Sequence, residues 1–390
     1  MIGGRLFVTA VVWVVGFALL RLSLLAPEVC PSVDAARAWQ AAVAAGTWIE
    51  AGQQADGRFL YEYDRTTDEA GPGYNIVRHA GVTLSLYQLV GAGDRSFLEP
   101  ADAGLRWMLD RLVPAGGGVA FVEPGLPTAS LGASALMTAA LAARRDATGS
   151  DRYDGEARGL ARFMMGQMGP GGRMLSLYDL AEERAVPGVT SRYATGEAGW
   201  ALATLHNLLP GEGWDRPARR VADYLALERD AAEGLDYRPW PDQWAAYLLA
   251  EMAHWGLDEH HVAYARDLSE RFGMLLRVES QKGGWPVPFV DPTARGAGLG
   301  VWAEGAGSLA RLAAVDGRLA DLRGTLEQRL ACGAGVMAER QVDDAGAGRF
   351  ARPRLVEGAW FREDVTRMDD QQHALSGLLA AAGRIGSLAP

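Results

Sequence analysis

Two acidic residues near the middle of the chain have the chemistry needed for acid–base catalysis. Glu197 stands in the segment Tyr-Ala-Thr-Gly-Glu, and Asp242 follows Trp-Pro. Cleavage of a glycosidic bond uses two carboxyl groups across the bond, one protonated and one ionised, and this pair would provide them. The simpler interpretation is that both are charges in the first turns of two helices, a role that Pro241 favours for Asp242.

A second candidate group combines Asp369, Asp370 and His373 near the C-terminus with His79. On a helix, consecutive residues point about 100° apart, so at most one of the two aspartates faces a pocket squarely. Both lie within one turn of His373, where a carboxylate can orient the imidazole. Two histidines on neighbouring helices could abstract a proton from a sugar carbon. The alternative is that His79 and His373 are hydrogen-bonded structural residues.

Basic and aromatic side chains accompany these groups at or near the starts of predicted helices. Arg78, Arg192 and Arg367 could each bind a carboxylate with the planar guanidinium group, although surface ion pairs would explain them equally well. The aromatic candidates could stack on sugar rings or simply pack the core. The remaining candidates for substrate binding are these aromatic residues and one acidic residue: Tyr74, Tyr193, Trp200, Trp240, Trp244, Trp302 and Glu304.

Helices must bring these residues together, and the sequence predicts twelve of them. Apolar residues recur at spacings of three and four from Val33 onward, which is typical of helices with one buried face. Long and short connections alternate, and in an up-and-down array alternate connections lie at opposite ends. The long connections and the candidate residues are therefore expected on one face. The predicted helices are 34–54, 75–90, 98–112, 129–148, 152–167, 195–208, 216–229, 241–255, 259–277, 298–314, 318–338 and 366–385.

Six hairpins that repeat about every 50 residues predict either an open solenoid or a closed ring. An open solenoid needs polar end caps, whereas the first and last helices are as apolar as the middle ones. Small residues follow the candidate side chains of the even-numbered helices, as an inner ring of crowded helices requires. We therefore predict an all-α (α/α)6 toroid. Its inner helix N-termini would point backbone N–H groups at the pocket and favour anionic or hydroxyl-rich ligands.

This pattern resembles the six-hairpin glycosidase superfamily, which includes unsaturated glucuronyl hydrolases and sugar epimerases. The resemblance covers roughly residues 34–386 and includes the segments Arg78-His79-Ala-Gly and Met368-Asp-Asp-Gln-Gln-His373. It implies a carbohydrate-active enzyme, either a hydrolase or an epimerase, that acts on an acidic or hydroxyl-rich glycan. No cofactor is expected.

Two other functions remain open. One is a non-catalytic glycan-binding or scaffold toroid in envelope assembly. The other is a terpene-cyclase-like toroid, because the segment Gln53-Gln-Ala-Asp56-Gly57-Arg-Phe59 is similar to a repeat of terpene cyclases. The Asp-x-Asp-Asp acid motif of those enzymes is absent from the sequence.

Charge and metal-ligand counts exclude further classes. The net charge of −10, from 38 basic and 48 acidic residues, argues against non-specific nucleic-acid binding, which needs a basic surface. His254, His260 and His261 cluster at a short turn that should lie opposite the pocket, and two cysteines cannot form a thiolate zinc site alone. No metal is therefore expected.

The N-terminal residues predict a membrane segment. Residues 6–26 are apolar except for Arg21, and they can cross about 30 Å of hydrocarbon if Arg21 reaches the interface. Arg5 favours a cytoplasmic N-terminus. We therefore predict a signal anchor or signal peptide at 1–30 and a toroid domain at 31–390, on the periplasmic side of the inner membrane. Cys30 and Cys332 could pair in that oxidising compartment.

Overall fold

The computed structural model of the protein describes residues 2–23, 27–234, 241–282 and 293–385. The α-helices in these residues are α1 (Ile2–Ser23), α2 (Ala35–Ala51), α3 (Ile76–Gly91), α4 (Leu98–Leu109), α5 (Leu131–Thr148), α6 (Asp154–Gly166), α7 (Ala194–Leu208), α8 (Asp215–Leu227), α9 (Arg229–Ala232), α10 (Gln243–Glu251), α11 (Glu259–Gln281), α12 (Gly296–Val315), α13 (Ala320–Arg340), α14 (Asp344–Ala347) and α15 (Met368–Ala381). Apart from α1 and the short helices α9 and α14, they match the twelve predicted helices.

The twelve helices form the predicted closed ring. Each of α3, α5, α7, α10 and α12 packs against the next inner helix, and α15 packs against both α12 and α3. The intervening helices α2, α4, α6, α8, α11 and α13 form the outer layer. The all-α (α/α)6 toroid is therefore confirmed.

Glycines let the inner helices approach closely, as the small residues in the sequence predicted. A Cβ atom added at Gly300 of α12 would overlap the backbone of His373 in α15. One added at Gly81 of α3 would lie 2.5 Å from the side chain of Gln372. A glycine also lets an outer helix pack closely on an inner one, because the Phe272 ring of α11 occupies the space beside Gly305 of α12. Larger residues at these glycines would force the ring apart.

The long connections contain short strands that the sequence analysis did not predict. They are β1 (Glu62–Asp64), β2 (Glu69–Ala70), β3 (Leu112–Ala115), β4 (Gly118–Phe121), β5 (Thr128–Ser130), β6 (Leu177–Asp179), β7 (Arg184–Ala185) and β8 (Val365–Arg367). Strands of two to four residues are too short to show an alternating pattern. β1 pairs with β2 and β8, β3 pairs with β4, and β6 joins β5 to β7, all antiparallel. The β1–β8 pairing ties the first long connection to the last and closes the ring on this face.

The N-terminal part joins the toroid through a covalent link. The stretch Gly4–Arg21 of α1 is long and apolar enough to cross a membrane, although a signal sequence has the same properties. Cys30, shortly after this helix, is disulfide-bonded to Cys332 of the outer helix α13. The sequence had left this pairing open.

Candidate active site

A cavity of about 710 Å³ opens at the N-terminal ends of the inner helices. It is lined by residues of α3, α5, α7, α10, α12 and α15, and by loop residues next to them. The candidate residues from the sequence that line it are Arg78, Tyr193, Glu197, Trp244, Trp302, Asp369 and His373.

Glu197 is a buried acid in the first turns of α7. Its residue is 6% exposed, and its carboxylate lies where a Cβ atom of Gly132 in α5 would stand. Burial and the nearby charge of Asp242 raise the pKa of Glu197 to about 8, while the charge of His373 acts in the opposite direction. Glu197 therefore carries a proton at neutral pH.

His373 of α15 lies beside a second buried acid. Its Nδ1 is 2.9 Å from Oε2 of Glu304 in α12. Burial lowers the pKa of His373, but the charge of Glu304 and the hydrogen bond to it outweigh burial, so the net shift of the pKa is upward. Burial also raises the pKa of Glu304, and His373 reduces that shift. The carboxylate thus orients the imidazole through Nδ1 and leaves Nε2 for other partners. Glu304 itself does not line the cavity.

Asp369 and Asp370 are separated as the geometry of consecutive helical residues predicts. Asp369 lines the cavity. Its Oδ2 is 3.2 Å from Nε of Arg78, and its Oδ1 is buried without a hydrogen-bond partner among the described residues. A buried carboxylate oxygen without a donor is unfavourable, so a hydroxyl group of a ligand would find an acceptor there.

Asp370 has a different environment and does not line the cavity. Its oxygens accept hydrogen bonds from the backbone N–H groups of Ala297 at 3.0 Å and Arg367 at 3.1 Å. The Arg295 guanidinium lies 3.2 Å away. Asp370 therefore caps α15 and fixes it to the start of α12. Asp370 was a candidate catalytic residue in the sequence, but in the structure it holds two helices together and does not reach the cavity.

Asp242 also proves to be a helix cap. Its Oδ1 accepts hydrogen bonds from the backbone of Trp244 at 3.0 Å and Ala245 at 3.4 Å, and Oδ2 accepts one from Arg229 at 2.7 Å. The residue is 1% exposed and does not line the cavity. The structure therefore does not place Glu197 and Asp242 across a substrate bond. Asp242 acts on Glu197 through its charge instead.

His79 is likewise turned away from the cavity. It contacts the rings of Phe59 and Trp107, with Nδ1 2.6 Å from the Tyr74 hydroxyl and Nε2 2.9 Å from the Gly104 carbonyl oxygen. Burial lowers its pKa to about 3, so the ring is neutral. The helices α3 and α15 are neighbours as predicted, but His79 and Tyr74 point outward to α4. The predicted pair of His79 with His373 is therefore not formed.

The segment that is similar to the terpene-cyclase repeat lies in this same outer region. Gln53 donates hydrogen bonds to the carbonyl oxygens of Gly57 and Pro100, and Phe59 is buried. None of its residues lines the cavity described above.

Three further candidates from the sequence do not line the cavity. Arg367 forms an ion pair with Glu62 at 2.7 Å, and Arg192 lies 5.5 Å from the centre of the Tyr193 ring. Trp200 stacks on Trp244 with ring centres 5.2 Å apart, so it packs against a residue that lines the cavity. Trp240 lies outside the described residues.

Several lining residues were missed by the sequence analysis. Arg295 is the N-cap residue of α12, and its position before an inner helix is the same signal that identified Arg78. Lys282 and Arg362 lie in long connections, where no periodic pattern marks a lining position. With Arg78 they give the cavity four basic side chains against Glu197 and Asp369. The missed lining residues with polar side chains are Gln243, Lys282, Thr293, Arg295, Arg362 and Gln372.

A cluster of possible metal ligands lies elsewhere, at the start of α11. Atoms of Asp223, Asp258, His260 and His261 lie within 4.8 Å of one another. The Asp258 backbone N–H donates to Nδ1 of His261 at 3.2 Å, which puts the proton of the neutral ring on Nε2. An imidazole that binds a metal through one nitrogen carries its proton on the second nitrogen. In His261, Nδ1 accepts a hydrogen bond and Nε2 carries the proton, so neither nitrogen is available to a metal. The cluster is therefore better described as a hydrogen-bonded helix cap.

Solved structures of low sequence identity share this fold. A D-mannose isomerase is 12% identical, with 90% of this chain and 97% of that chain covered at a TM-score of 0.60. A cellobiose 2-epimerase from Spirochaeta thermophila is 15% identical, with 86% and 92% covered at a TM-score of 0.56. A GH76 α-mannanase from Bacteroides thetaiotaomicron is 11% identical, with 90% and 96% covered at a TM-score of 0.57. The chain therefore has the fold of the six-hairpin glycosidase-like toroids, as the resemblance implied.

Comparison of the sequence with protein-family models gives no match. Comparison with curated proteins gives none either.

Proposed function

We propose that the protein is a carbohydrate-active enzyme that hydrolyses a glycosidic bond, with Glu197 as the acid and Asp369 as the ionised partner. The observation that carries this proposal is that these two carboxyl groups line one cavity from α7 and α15, on opposite sides of the inner ring, in contrasting surroundings. Glu197 holds a proton at neutral pH, whereas Asp369 lies against the Arg78 guanidinium. Two carboxyl groups whose protonation states differ are what this reaction requires.

The reaction would proceed between these two groups. Glu197 gives its proton to the glycosidic oxygen while the bond between that oxygen and the anomeric carbon breaks. In one route Asp369 takes a proton from the water that adds to the anomeric carbon, and that proton returns to Glu197 through solvent. In the other route Asp369 bonds to the anomeric carbon first, and a water then displaces Asp369 while it gives its proton to Glu197. The distance between the carboxyl groups in the substrate complex decides which route is followed. In both cases one water is consumed and Glu197 regains a proton.

The wall of the cavity supports an acidic saccharide as the substrate. Four basic side chains line it, and Glu197 adds no negative charge when it is protonated. A guanidinium can bind a carboxylate through two hydrogen bonds. The Arg362 guanidinium lines the cavity, whereas Nε and Nη2 of Arg295 already donate to Asp370. Trp244 and Trp302 border the cavity with only 4% and 7% of each residue exposed, so they add small apolar contacts to its wall.

A second reaction, epimerisation or isomerisation of a sugar, is favoured by His373. The Glu304 carboxylate accepts from Nδ1, so Nε2 could remove a proton from a carbon next to a carbonyl group while Glu197 protonates the carbonyl oxygen. Asp369, which is paired with Arg78, takes no part in that proton transfer. The two reactions therefore differ in whether Asp369 is essential.

A panel of neutral and uronate-containing oligosaccharides, analysed by mass spectrometry and chromatography, tests the proposal. Hydrolysis adds the mass of one water and should be lost in Glu197→Gln and Asp369→Asn. The exposed Glu182 lies outside the cavity wall, and Glu182→Gln is the matched control. Conversion without a change of mass that survives Asp369→Asn but not His373→Gln would support the epimerase instead. Binding without any conversion across the panel would support a glycan-binding or scaffold protein and overturn the enzymatic proposal.

We also infer that the toroid lies on the periplasmic side of the inner membrane, attached by α1. The apolar stretch of α1 supports a single membrane span. The Cys30–Cys332 disulfide supports an oxidising compartment, since such bonds rarely persist in the cytoplasm. Protease added to spheroplasts should then degrade the toroid, whereas a toroid that survives until the cells are lysed would contradict this location.

A further inference from the structure

The membrane helix is tied to the toroid at the rim of the cavity. Lys282, which follows the last residue of α11, lines the cavity. Two residues earlier, the Ser280 carbonyl oxygen accepts a hydrogen bond from the backbone N–H of Val29 at 3.0 Å. Only five residues separate Val29 from Ser23, the last residue of α1, and six residue steps span at most about 20 Å even when fully extended. The end of α1 therefore lies within about 20 Å of this part of the rim.

The connection is held firmly at several points. The Glu28 carboxylate forms ion pairs with Arg329 of α13 and, at 3.3 Å, with Arg277 of α11. Cys30 is bonded to Cys332 of α13. These contacts fix residues 28–30 to two adjacent outer helices.

Apolar residues are exposed on the same side of the toroid. Met274 is 59% exposed and Val278 is 42% exposed. They are four residues apart on α11 and therefore share a face, and Arg277, the partner of Glu28, lies next to Val278. We call Met274, Arg277 and Val278 the α11 patch. Exposed apolar residues beside a helix that is long and apolar enough to cross a membrane can contact the upper acyl chains, and the Arg277–Glu28 ion pair would then lie among the headgroups.

We propose that the α11 patch rests on the bilayer and that the substrate is a saccharide attached to a membrane lipid, which reaches the cavity from the membrane surface. This inference rests on the proposed function for the chemistry of the substrate. The contact between the residues after α1 and the rim of the cavity does not depend on that chemistry. A freely diffusing saccharide would gain nothing from a cavity held this close to the bilayer, whereas a lipid-attached one would be presented at high local concentration.

The position of the patch can be measured on the full-length protein in nanodiscs of phosphatidylcholine and phosphatidylglycerol that contain doxyl-labelled lipid. Both native cysteines are paired, so a fluorophore can be attached selectively in Met274→Cys or in Val278→Cys. Val315→Cys, exposed at the far end of α12, is the matched control. We expect doxyl lipid to quench about half of the fluorescence at position 274 or 278 and little at 315. Equal quenching at all three positions, or a mature protein that lacks α1, would overturn the inference.

The second measurement compares an oligosaccharide that the enzyme converts, free in solution, with the same oligosaccharide coupled to a diacyl lipid in the nanodisc. The full-length protein should prefer the lipid-linked form. Twenty Gly and Ser residues inserted between positions 26 and 27 would let the toroid move about 25 Å from the membrane, and we expect the preference to fall about tenfold. An unchanged preference, or none in the native protein, would refute the lipid-attached substrate. If neither form is converted, the proposed function fails, while the quenching experiment still decides where the rim lies.

Discussion

Replacement of Glu197 by glutamine should stabilise the folded protein, and increasingly so as the pH rises. An unfolded glutamate releases its proton near pH 4.5, whereas in the folded protein the pKa of Glu197 is about 8. Between these values the folded state keeps a proton that the unfolded state has lost. Stability must therefore decrease as the pH rises through this window. Glutamine does not titrate, so the variant lacks this loss.

The size of the effect follows from the same two values. One pKa unit corresponds to 1.36 kcal/mol, and the shift from 4.5 to about 8 spans three to four units. The free energy of unfolding of the variant, relative to the native protein, should thus rise by about 5 kcal/mol between pH 4 and pH 9. Most of this rise should appear between pH 5 and pH 8. Above pH 8 the difference should stop growing, because Glu197 is then ionised in both states.

Urea denaturation of the full-length protein in detergent, followed by tryptophan fluorescence at several pH values, measures this difference. Glu182→Gln removes an exposed carboxylate and should give a nearly flat difference. If the Glu197→Gln difference is equally flat, the raised pKa and the acid role that depends on it are both wrong. Loss of turnover together with a gain in stability would be the expected signature of a residue kept for chemistry.

Three further changes test other parts of the structure. Asp369→Asn should lower turnover by about 100-fold or more with little change in stability. Asp370→Asn weakens a buried cap and should lower the free energy of unfolding by about 2–4 kcal/mol. Kinetics and urea denaturation distinguish the two variants, and equal effects would contradict the different roles of the two aspartates. Gly300→Ala should destabilise the protein by about 2 kcal/mol or more in the same denaturation assay, because its Cβ would overlap the backbone of α15, while Gly324→Ala, with open space around it, should not. Cys30→Ser should lower the free energy of unfolding by about 2–5 kcal/mol, and a reducing agent should then have no further effect.

The architecture could be predicted from the sequence because its signal is long. Twelve amphipathic segments and an alternation of connection lengths extend over most of the chain, so an error of two residues at any boundary leaves the topology unchanged. The strands could not be predicted in this way. β1 and β8 are three residues each and lie roughly 300 positions apart along the chain, and their pairing forms only after the ring has brought the first and last connections together.

The sequence predicted a set of candidate residues at helix starts but not which of them face the cavity. An error of two residues in the start of a helix changes the role of each of these residues. At the N-cap and N3 positions a carboxylate accepts backbone hydrogen bonds, and Asp242 and Asp370 occupy those positions in α10 and α15. Both helices begin two residues later than predicted. Asp369 and Glu197 escape this role because they occupy neighbouring positions, N2 and N4. The step between a capping carboxylate and one that faces the cavity is therefore a single residue, and only the exact helix start determines which one a given aspartate becomes.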